Sequence, residues 1–167
     1  LGDIGPSQGD YFQSVKGGGH GDYRLLVLAP STCQEAYDLV IKAFDLAFAY
    51  RNPVMVLGDA ILGQMKEPLT PWIPVVPGDE ESAEWRLEGA RGRGPRLHKS
   101  LFLAEGALAG QNRKLQEKYQ AMEKEVLVEL FDTEDAELVV VAYGSIGRIA
   151  KSTVRKLRRE GLKVGLA

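Results

Sequence analysis

Three strand-length apolar runs, Tyr23 to Ala29, Val54 to Leu57 and Leu138 to Tyr143, constrain this chain more than any other feature. A run that is apolar at nearly every position, instead of at alternate ones, suits a strand covered on both faces, as in a parallel sheet. Parallel neighbours cannot be joined by a tight turn and need a crossover, usually a helix. The residues between the first two runs supply one. Ser31 with Gln34, and Thr32 with Glu35, both have capping-box spacing, which places the helix start to within one residue. Tyr37, Val40, Ile41, Phe44 and Phe48 then recur at i, i+3, i+4, i+7 and i+11, with Glu35, Asp38, Lys42 and Asp45 on the other side. That pattern predicts an amphipathic helix lying on a sheet. Asn52-Pro53 stops it, and Val54–Leu57 forms a second buried strand ending at Gly58-Asp59. Strand, helix and strand within about 37 residues make a βαβ unit, expected to be parallel and right-handed.

The pattern starts again near the other end. Arg113–Leu130 reads as a charged helix with the apolar stripe Leu115, Tyr119, Met122, Val126 and Leu130. Glu134-Asp135 turns the chain into the third run, a third buried strand. Ile146, Ile149, Ala150, Thr153 and Leu157 make the face of the next helix, Gly161 is its C-cap, and Lys163–Leu166 begins a fourth strand. The fold class is α/β, built from parallel-sheet βαβ units. At the start, Ser7 as N-cap, Tyr11, Phe12 and Val15, and a stop at Gly17 predict a short helix.

Between the two units the periodic signals vanish. Pro68, Pro71, Pro74 and Pro77 recur every third residue and fit neither a helix interior nor a central strand. The acidic stretch Asp79–Glu84 and the Gly/Arg stretch Gly89–Arg96 prolong this extended connector to about 35 residues, long enough to suggest a strap over a neighbouring subunit. The expected division is a first α/β part at 1–67, an irregular connector at 68–104, and a connecting helix with a second α/β part at 105–167. The chain opens at Leu1 without an initiator methionine and stops as a strand-like run begins, so it reads as a piece of a longer subunit.

Charge and composition exclude several partners. With 21 Lys+Arg against 23 Asp+Glu there is no global field for nucleic acid or anionic lipid, and the arginines of Gly89–Arg96 lack interleaved aromatics. Cys33 is the single cysteine, so an internal disulfide is excluded, and the four thiolates usual for an iron–sulfur cluster cannot come from this chain alone; if electrons move through such centres, another polypeptide holds them. No apolar run approaches the roughly 20 residues that cross a bilayer. A cytoplasmic location is expected, with no membrane contact.

In open parallel sheets, ligands collect outside the carboxyl ends of the strands. Asp59 and the pair Gly144-Ser145 sit at such ends. Asp59 reads equally as a helix N-cap and as a pocket residue. Gly144-Ser145 reads as a tight turn with Ser145 capping, or as a ligand or interface turn. Gly144-Ser-Ile-Gly147 carries only part of a dinucleotide fingerprint. The loop Gly17–Asp22 precedes a strand and is no phosphate loop, but it allows close backbone approach, with His20 able to transfer a proton or simply to fill a turn. Arg148, Lys151, Arg155, Lys156, Arg158 and Arg159 crowd the last helix, where a solvated face is the default. Cys33 is expected to be a small, at least half-buried residue, and no metal site is identified.

In order along the chain, Gly-Pro-Ser-Gln-Gly-Asp at Gly5–Asp10, Gly-Gly-His-Gly-Asp at Gly18–Asp22, Ala-Phe-Asp-Leu-Ala at Ala43–Ala47 and Tyr-Arg-Asn-Pro-Val at Tyr50–Val54 form a series. Asp59, Glu134-Asp135-Ala136-Glu137 and Ala142-Tyr143-Gly144-Ser145 extend it. In this series the chain resembles the alpha subunit of 2-oxoacid:ferredoxin oxidoreductases, in the branch acting on 3-methyl-2-oxobutanoate (2-ketoisovalerate). The resemblance implies a partial pyrimidine-side thiamine-diphosphate domain followed by the start of a transketolase-C-like domain. It implies thiamine diphosphate with Mg2+ shared with a partner subunit, and iron–sulfur clusters only on other subunits. The partners implied are beta and gamma/delta-type subunits, ferredoxin, coenzyme A and a branched-chain 2-oxoacid, which is converted oxidatively to acyl-CoA and CO2. The family's glutamate for the aminopyrimidine would precede Leu1, so no catalytic residue is carried over and this chain by itself is expected to be inactive. Gln8, Asp10, His20 and Asp59 remain as cleft candidates, with Asp59 and His20 expected to face one cleft. The alternative is a non-catalytic α/β module that docks subunits or binds a nucleotide or coenzyme A.

Overall fold

The computed structural model describes residues 9–17, 23–74, 85–87 and 89–167. The chain forms two compact units, one made of residues 1–71 with 119–167, the other of residues 72–118. Four short strands in the first unit make two parallel pairs. β1 (Leu26–Leu28) pairs with β2 (Val54–Val56) in the register Leu26↔Val54, and β3 (Leu138–Val140) pairs with β4 (Val164–Leu166) in the register Leu138↔Val164. Each pair is bridged by one long helix, α2 (Cys33–Tyr50) or α5 (Gly144–Arg159). The short α1 (Tyr11–Val15) and α3 (Ala60–Gln64) flank the first pair, and α4 (Ala107–Met122) leads back from the second unit. Before α4, the described residues of the second unit form no helix or strand.

Helix α2 starts as its sequence dictates. Thr32 is the N-cap and accepts from the Glu35 N–H at 3.0 Å, while Glu35 Oε2 accepts from the Ser31 N–H and hydroxyl at 2.7 and 2.8 Å. Of the two cap spacings, Thr32 with Glu35 is the one used; Gln34 turns instead to Asp38 and to the Thr70 backbone. Arg51 ends the helix in the left-handed region, and the buried Asn52 donates to the carbonyls of Arg24 and Pro53 at 3.0 and 2.9 Å. The helix end is closed by backbone, the Arg51 and Asn52 N–H groups reaching the Ala47 and Phe48 carbonyls, while the Asn52 side chain ties the following chain to Arg24 ahead of β1.

The predicted apolar face of α2 is not the buried one. Leu46 is the buried residue of this helix, whereas Phe44 is 76% exposed and Val40 and Phe48 are exposed too. A two-stranded pair is too narrow to cover a full helical face, so the ring-bearing edge overhangs it. The same narrowness explains β3, where Leu138 and Val139 are exposed although a doubly covered strand is expected.

The second pair has the better core. Val154, 1% exposed, packs with Val164 and Leu166, against Phe131, Val140, Ala142, Ala150 and Leu157. Helix α5 is therefore turned from the expected face: Ile149 and Thr153 are exposed and Val154 takes their place. Gly161, at φ +87°, sits just past the helix end, as expected of a C-terminal glycine. Arg158 ties that end down, donating from Nε to the Val164 carbonyl at 2.6 Å and from its guanidinium to Asp135 at 2.7 Å.

Two further expectations are corrected. The helix expected over Arg113–Leu130 begins earlier and stops at Met122, passing through a 3-10 turn at Glu123–Glu125 into extended chain. Val126, Leu127, Val128 and Leu130 lie outside the helix, on the way to the Phe131–Leu166 pairing, and all are at least 60% exposed. The first helix starts at Tyr11, with Asp10 at the N-cap position but making no side-chain cap bond; Ser7 lies outside the described residues.

Extended chain at Phe131 pairs antiparallel with Leu166 through two backbone bonds of 2.9 Å. This close approach explains the glycine in β4, because a Cβ at Gly165 would stand 2.7 Å from the Asp132 carbonyl oxygen and 3.0 Å from Thr133 Cα. Gly165→Ala is expected to destabilise the chain by about 2 kcal/mol or more, since backbone rather than a side chain must move. Urea denaturation checks this, and a wild-type midpoint would refute it.

Candidate functional site

The loop that follows β2 joins the two strand pairs. Asp59, three residues past this strand, is in extended conformation and its Oδ1 accepts from the Leu62 N–H at 2.8 Å, capping α3. Its other oxygen accepts the hydroxyl hydrogen of Ser145, which lies buried in the first turn of α5. The Leu62 N–H first, and then the Ser145 hydroxyl, hold the Asp59 carboxyl below the ordinary carboxylate range. A few residues on, Glu67 accepts from the Cys33 N–H at the start of α2 at 3.0 Å and forms a 2.6 Å ion pair with Arg148 of α5. Two carboxylates of one loop thus hold the first turns of both long helices.

Both readings of Gly144-Ser145 are modified by this arrangement. Gly144, at φ +58°, makes the tight turn, and a Cβ there would meet the Pro30 carbonyl oxygen at 3.6 Å. Ser145 does not cap its own helix; the N-cap position belongs to Tyr143, which makes no side-chain cap bond. The serine hydroxyl crosses to Asp59 instead.

Beside the clasp opens a cleft of about 930 Å³. Its floor is aliphatic, from Leu26 and Leu28 of β1, Leu39 of α2, Leu57, and Leu166 of β4. Tyr11 and Tyr143 stand on its wall with ring centroids 6.2 Å apart. Burial, reinforced by the negative charge of Asp10 and by Tyr11, holds the Tyr143 phenol above its ordinary value, so it remains a neutral O–H at physiological pH. Arg148, Lys151 and Arg155 of α5 face Glu35 and Glu129 across the same cleft. Lys151 pairs with Glu129, and Lys151 and Arg155 both lie 5.2 Å from the centre of the Phe131 ring. The combination can hold an apolar or aromatic group on its floor while a polar end meets hydroxyls and paired charges.

Neither Asp10 nor Asp59 lines this cleft: Asp10 is exposed and acts on it through its charge near Tyr143, and Asp59 is bonded to Ser145, next to the cleft residue Gly144. Gln8 and His20 lie outside the described residues, and so does any shared cleft of His20 with Asp59. Tyr11, Tyr143 and Glu67 escape sequence reasoning. The signal available for Tyr143 was its place as the last residue of the third apolar run; Glu67, one charge before the first connector proline, offers none. Among the described residues, no three His, Cys, Asp or Glu side chains are grouped to hold a metal ion. No helix among them is long and apolar enough to cross a membrane.

Ser145→Ala is expected to cost about 1.5–3 kcal/mol, the range for a hydrogen bond to a charged group. Asp59→Asn keeps the cap shape, and the double variant should lose less than the sum of the two single losses. Because the Asp59 pKa is lowered by folding, its stabilisation is complete above the unfolded value and is lost as pH falls through the lowered one. Denaturation of the four proteins across acidic pH measures both effects; strictly additive losses would show that the two side chains do not interact.

The family model for pyruvate flavodoxin/ferredoxin oxidoreductase, thiamine diP-bdg, matches residues 2–132. The ketoisovalerate oxidoreductase subunit VorB of Methanothermobacter marburgensis is 51% identical over 99% of this chain and 47% of its own length. The 2-oxoglutarate synthase subunit KorA of Methanocaldococcus jannaschii is 34% identical over 95% of this chain and 49% of its own, and the pyruvate synthase subunit PorA of Pyrococcus horikoshii is 29% identical over 80% and 28%. The chain spans about half the length of the first two of these relatives. With most of its residues matched, the chain belongs to the pyruvate flavodoxin/ferredoxin oxidoreductase family, in its thiamine-diphosphate-binding domain.

Proposed function

We propose that this chain is part of a 2-oxoacid:ferredoxin oxidoreductase that converts a branched-chain 2-oxoacid and coenzyme A to acyl-CoA and CO2 while reducing ferredoxin. The observation that carries this reading is the 51% identity to a ketoisovalerate oxidoreductase subunit across 99% of the chain. An aliphatic floor beneath paired tyrosines supports it, because it suits the ring face of thiamine and a branched acyl chain. When bound, thiamine diphosphate supplies the carbon nucleophile and electron sink of such reactions.

The described residues fit the ring end of that cofactor and not its diphosphate end. The first turn of α2 already receives the Glu67 carboxylate, and no metal-binding group is assembled among the described residues. In this reading a partner subunit holds the diphosphate and Mg2+, and other subunits of beta and gamma/delta type hold the iron–sulfur clusters, in a cytoplasmic complex. Within this chain Tyr143 binds and orients at the cleft wall as a hydrogen-bond donor, and Asp10 acts beside it through its charge on that phenol. Asp59 is a positioning residue, acting through Ser145 on the turn that carries Tyr143 and Gly144. Gln8 and His20 are retained as cleft residues of the same site. The division into a pyrimidine-side part at 1–67, a connector at 68–104 and the start of a transketolase-C-like part at 105–167 belongs to this reading.

The assembled full-length complex, supplied with thiamine diphosphate, Mg2+ and coenzyme A, is expected to oxidise 3-methyl-2-oxobutanoate with reduction of ferredoxin. The 167-residue chain alone should not. Tyr143→Phe and Asp10→Asn in the complex should each lower kcat/KM about tenfold or more with subunit content unchanged. Wild-type kinetics in both variants would remove these residues from the site, and a complex inert toward all 2-oxoacids would remove the function.

A further inference from the structure

A second depression, of about 520 Å³, runs between α3 and α5 on the far side of the Asp59–Ser145 clasp. Its apolar surface comes from Ile61, Met65 and Ile149, with Ile149 53% and Ile61 38% exposed. Arg148, Ser152 and Lys156 form its α5 wall. The positions 149, 152 and 156 follow i, i+3 and i+7 spacing, and Arg159 continues the same stripe by one turn. The depression is thus an apolar strip bordered by positive charge.

The charge is unusual in its segregation. Helix α5 carries six cations and no acid, although the whole chain has 23 Asp+Glu against 21 Lys+Arg. Three of the six are answered within the fold: Arg148 by Glu67, Lys151 by Glu129 and Arg158 by Asp135. Among the described residues, Lys156 and Arg159 have no acidic partner, and both are exposed. The hydroxyl of Ser152 turns back to the Arg148 carbonyl and the hydroxyl of Thr153 to that of Ile149, so the groove presents cations and hydrocarbon, with few groups to read a small polar ligand.

We infer that this α3–α5 groove docks an acidic segment of another subunit of the oxidoreductase, one that seats an apolar side chain on Ile61, Met65 and Ile149 and sets carboxylates against Lys156 and Arg159. The inference rests on the reading of the chain as one subunit of an assembly, and it names the chemistry of the partner. An apolar strip with charges at its edge is the arrangement of a docking interface, where the apolar centre supplies affinity and the rim charges supply register and approach rate. Complementarity fixes the sign of the partner, since a basic or neutral segment would leave the α5 cations unanswered.

The test uses the full-length complex co-expressed with its partner subunits, with subunit composition and dissociation followed by native mass spectrometry over a sodium chloride series. In K156E/R159E, dissociation of one subunit is expected to become about tenfold easier at low salt, with the salt dependence of the wild type flattened or reversed. K156R/R159K should behave as wild type, and Ile149→Asp should loosen the same subunit. Acetylation footprinting gives a reading that does not depend on any variant folding: Lys156 should be protected in the complex and reactive after dissociation. A K156E/R159E complex as tight and as salt-sensitive as wild type, or a Lys156 equally reactive in both states, would overturn the proposal. Turnover of the wild-type complex is measured beside these, and its absence counts against the functional reading alone, because the docking result is scored on dissociation.

Discussion

Two carboxylates on one short loop hold this part of the molecule together. Asp59 and Glu67, both following β2, accept from the first turns of α5 and α2 respectively, and Glu67 also pairs with Arg148. Each of the two strand pairs is too small to be stable by burial alone, as two-stranded β pieces generally are. Charge-assisted bonds are stronger than neutral ones, and here both partners of each bond are anchored: Asp59 by its cap on α3, Ser145 by burial inside α5. Fixing the carboxyl edges of both pairs at the same place is what creates a crevice there, with an aliphatic floor of strand ends and a wall of helix starts.

Much of this could be read from the residues because local chemistry decided it. The parallel pairing follows from doubly apolar runs, the start of α2 from Thr32 and Glu35, its end from Asn52-Pro53, and the α5 turn from Gly144. The failures share one cause: the sequence of a helix gives its periodicity but not the width of the surface beneath it. Phe44 and Ile149 fit an apolar face and stand in the open, because the sheet that would cover the first is two strands wide. The stripe ending in Val126 and Leu130 matched a helix, yet the Phe131–Leu166 pairing draws that segment into extended form. Nothing local links Asp59 to Ser145, 86 positions away, so the capping role was legible and the clasp was not.

The basic residues of α5 show how one helix can serve several ends. Arg158 neutralises the turn at Asp135 and closes the helix onto β4, which is a folding role. Lys151 and Arg155 lie over the Phe131 ring, where a cation meets the negative face of an aromatic and its hydrocarbon stem covers apolar surface. Arg148 belongs to the clasp. These cations, at i, i+3, i+7 and i+10, share one face of the helix and are distributed among tasks by their height along its axis.

The exposed run Val126–Leu130 has a consequence for the life of the protein in the cell. It is extended, apolar at four of its five positions, and belongs to no strand of the sheet whose edge it approaches through Phe131. Proline and lysine, the usual guards of an open edge, are both missing from it. Such a stretch is what chaperones bind and what proteases and self-association exploit when it is left bare. Whatever conceals the run therefore also shields the polypeptide from capture and cleavage, so that covering it and keeping the chain intact are one physical event.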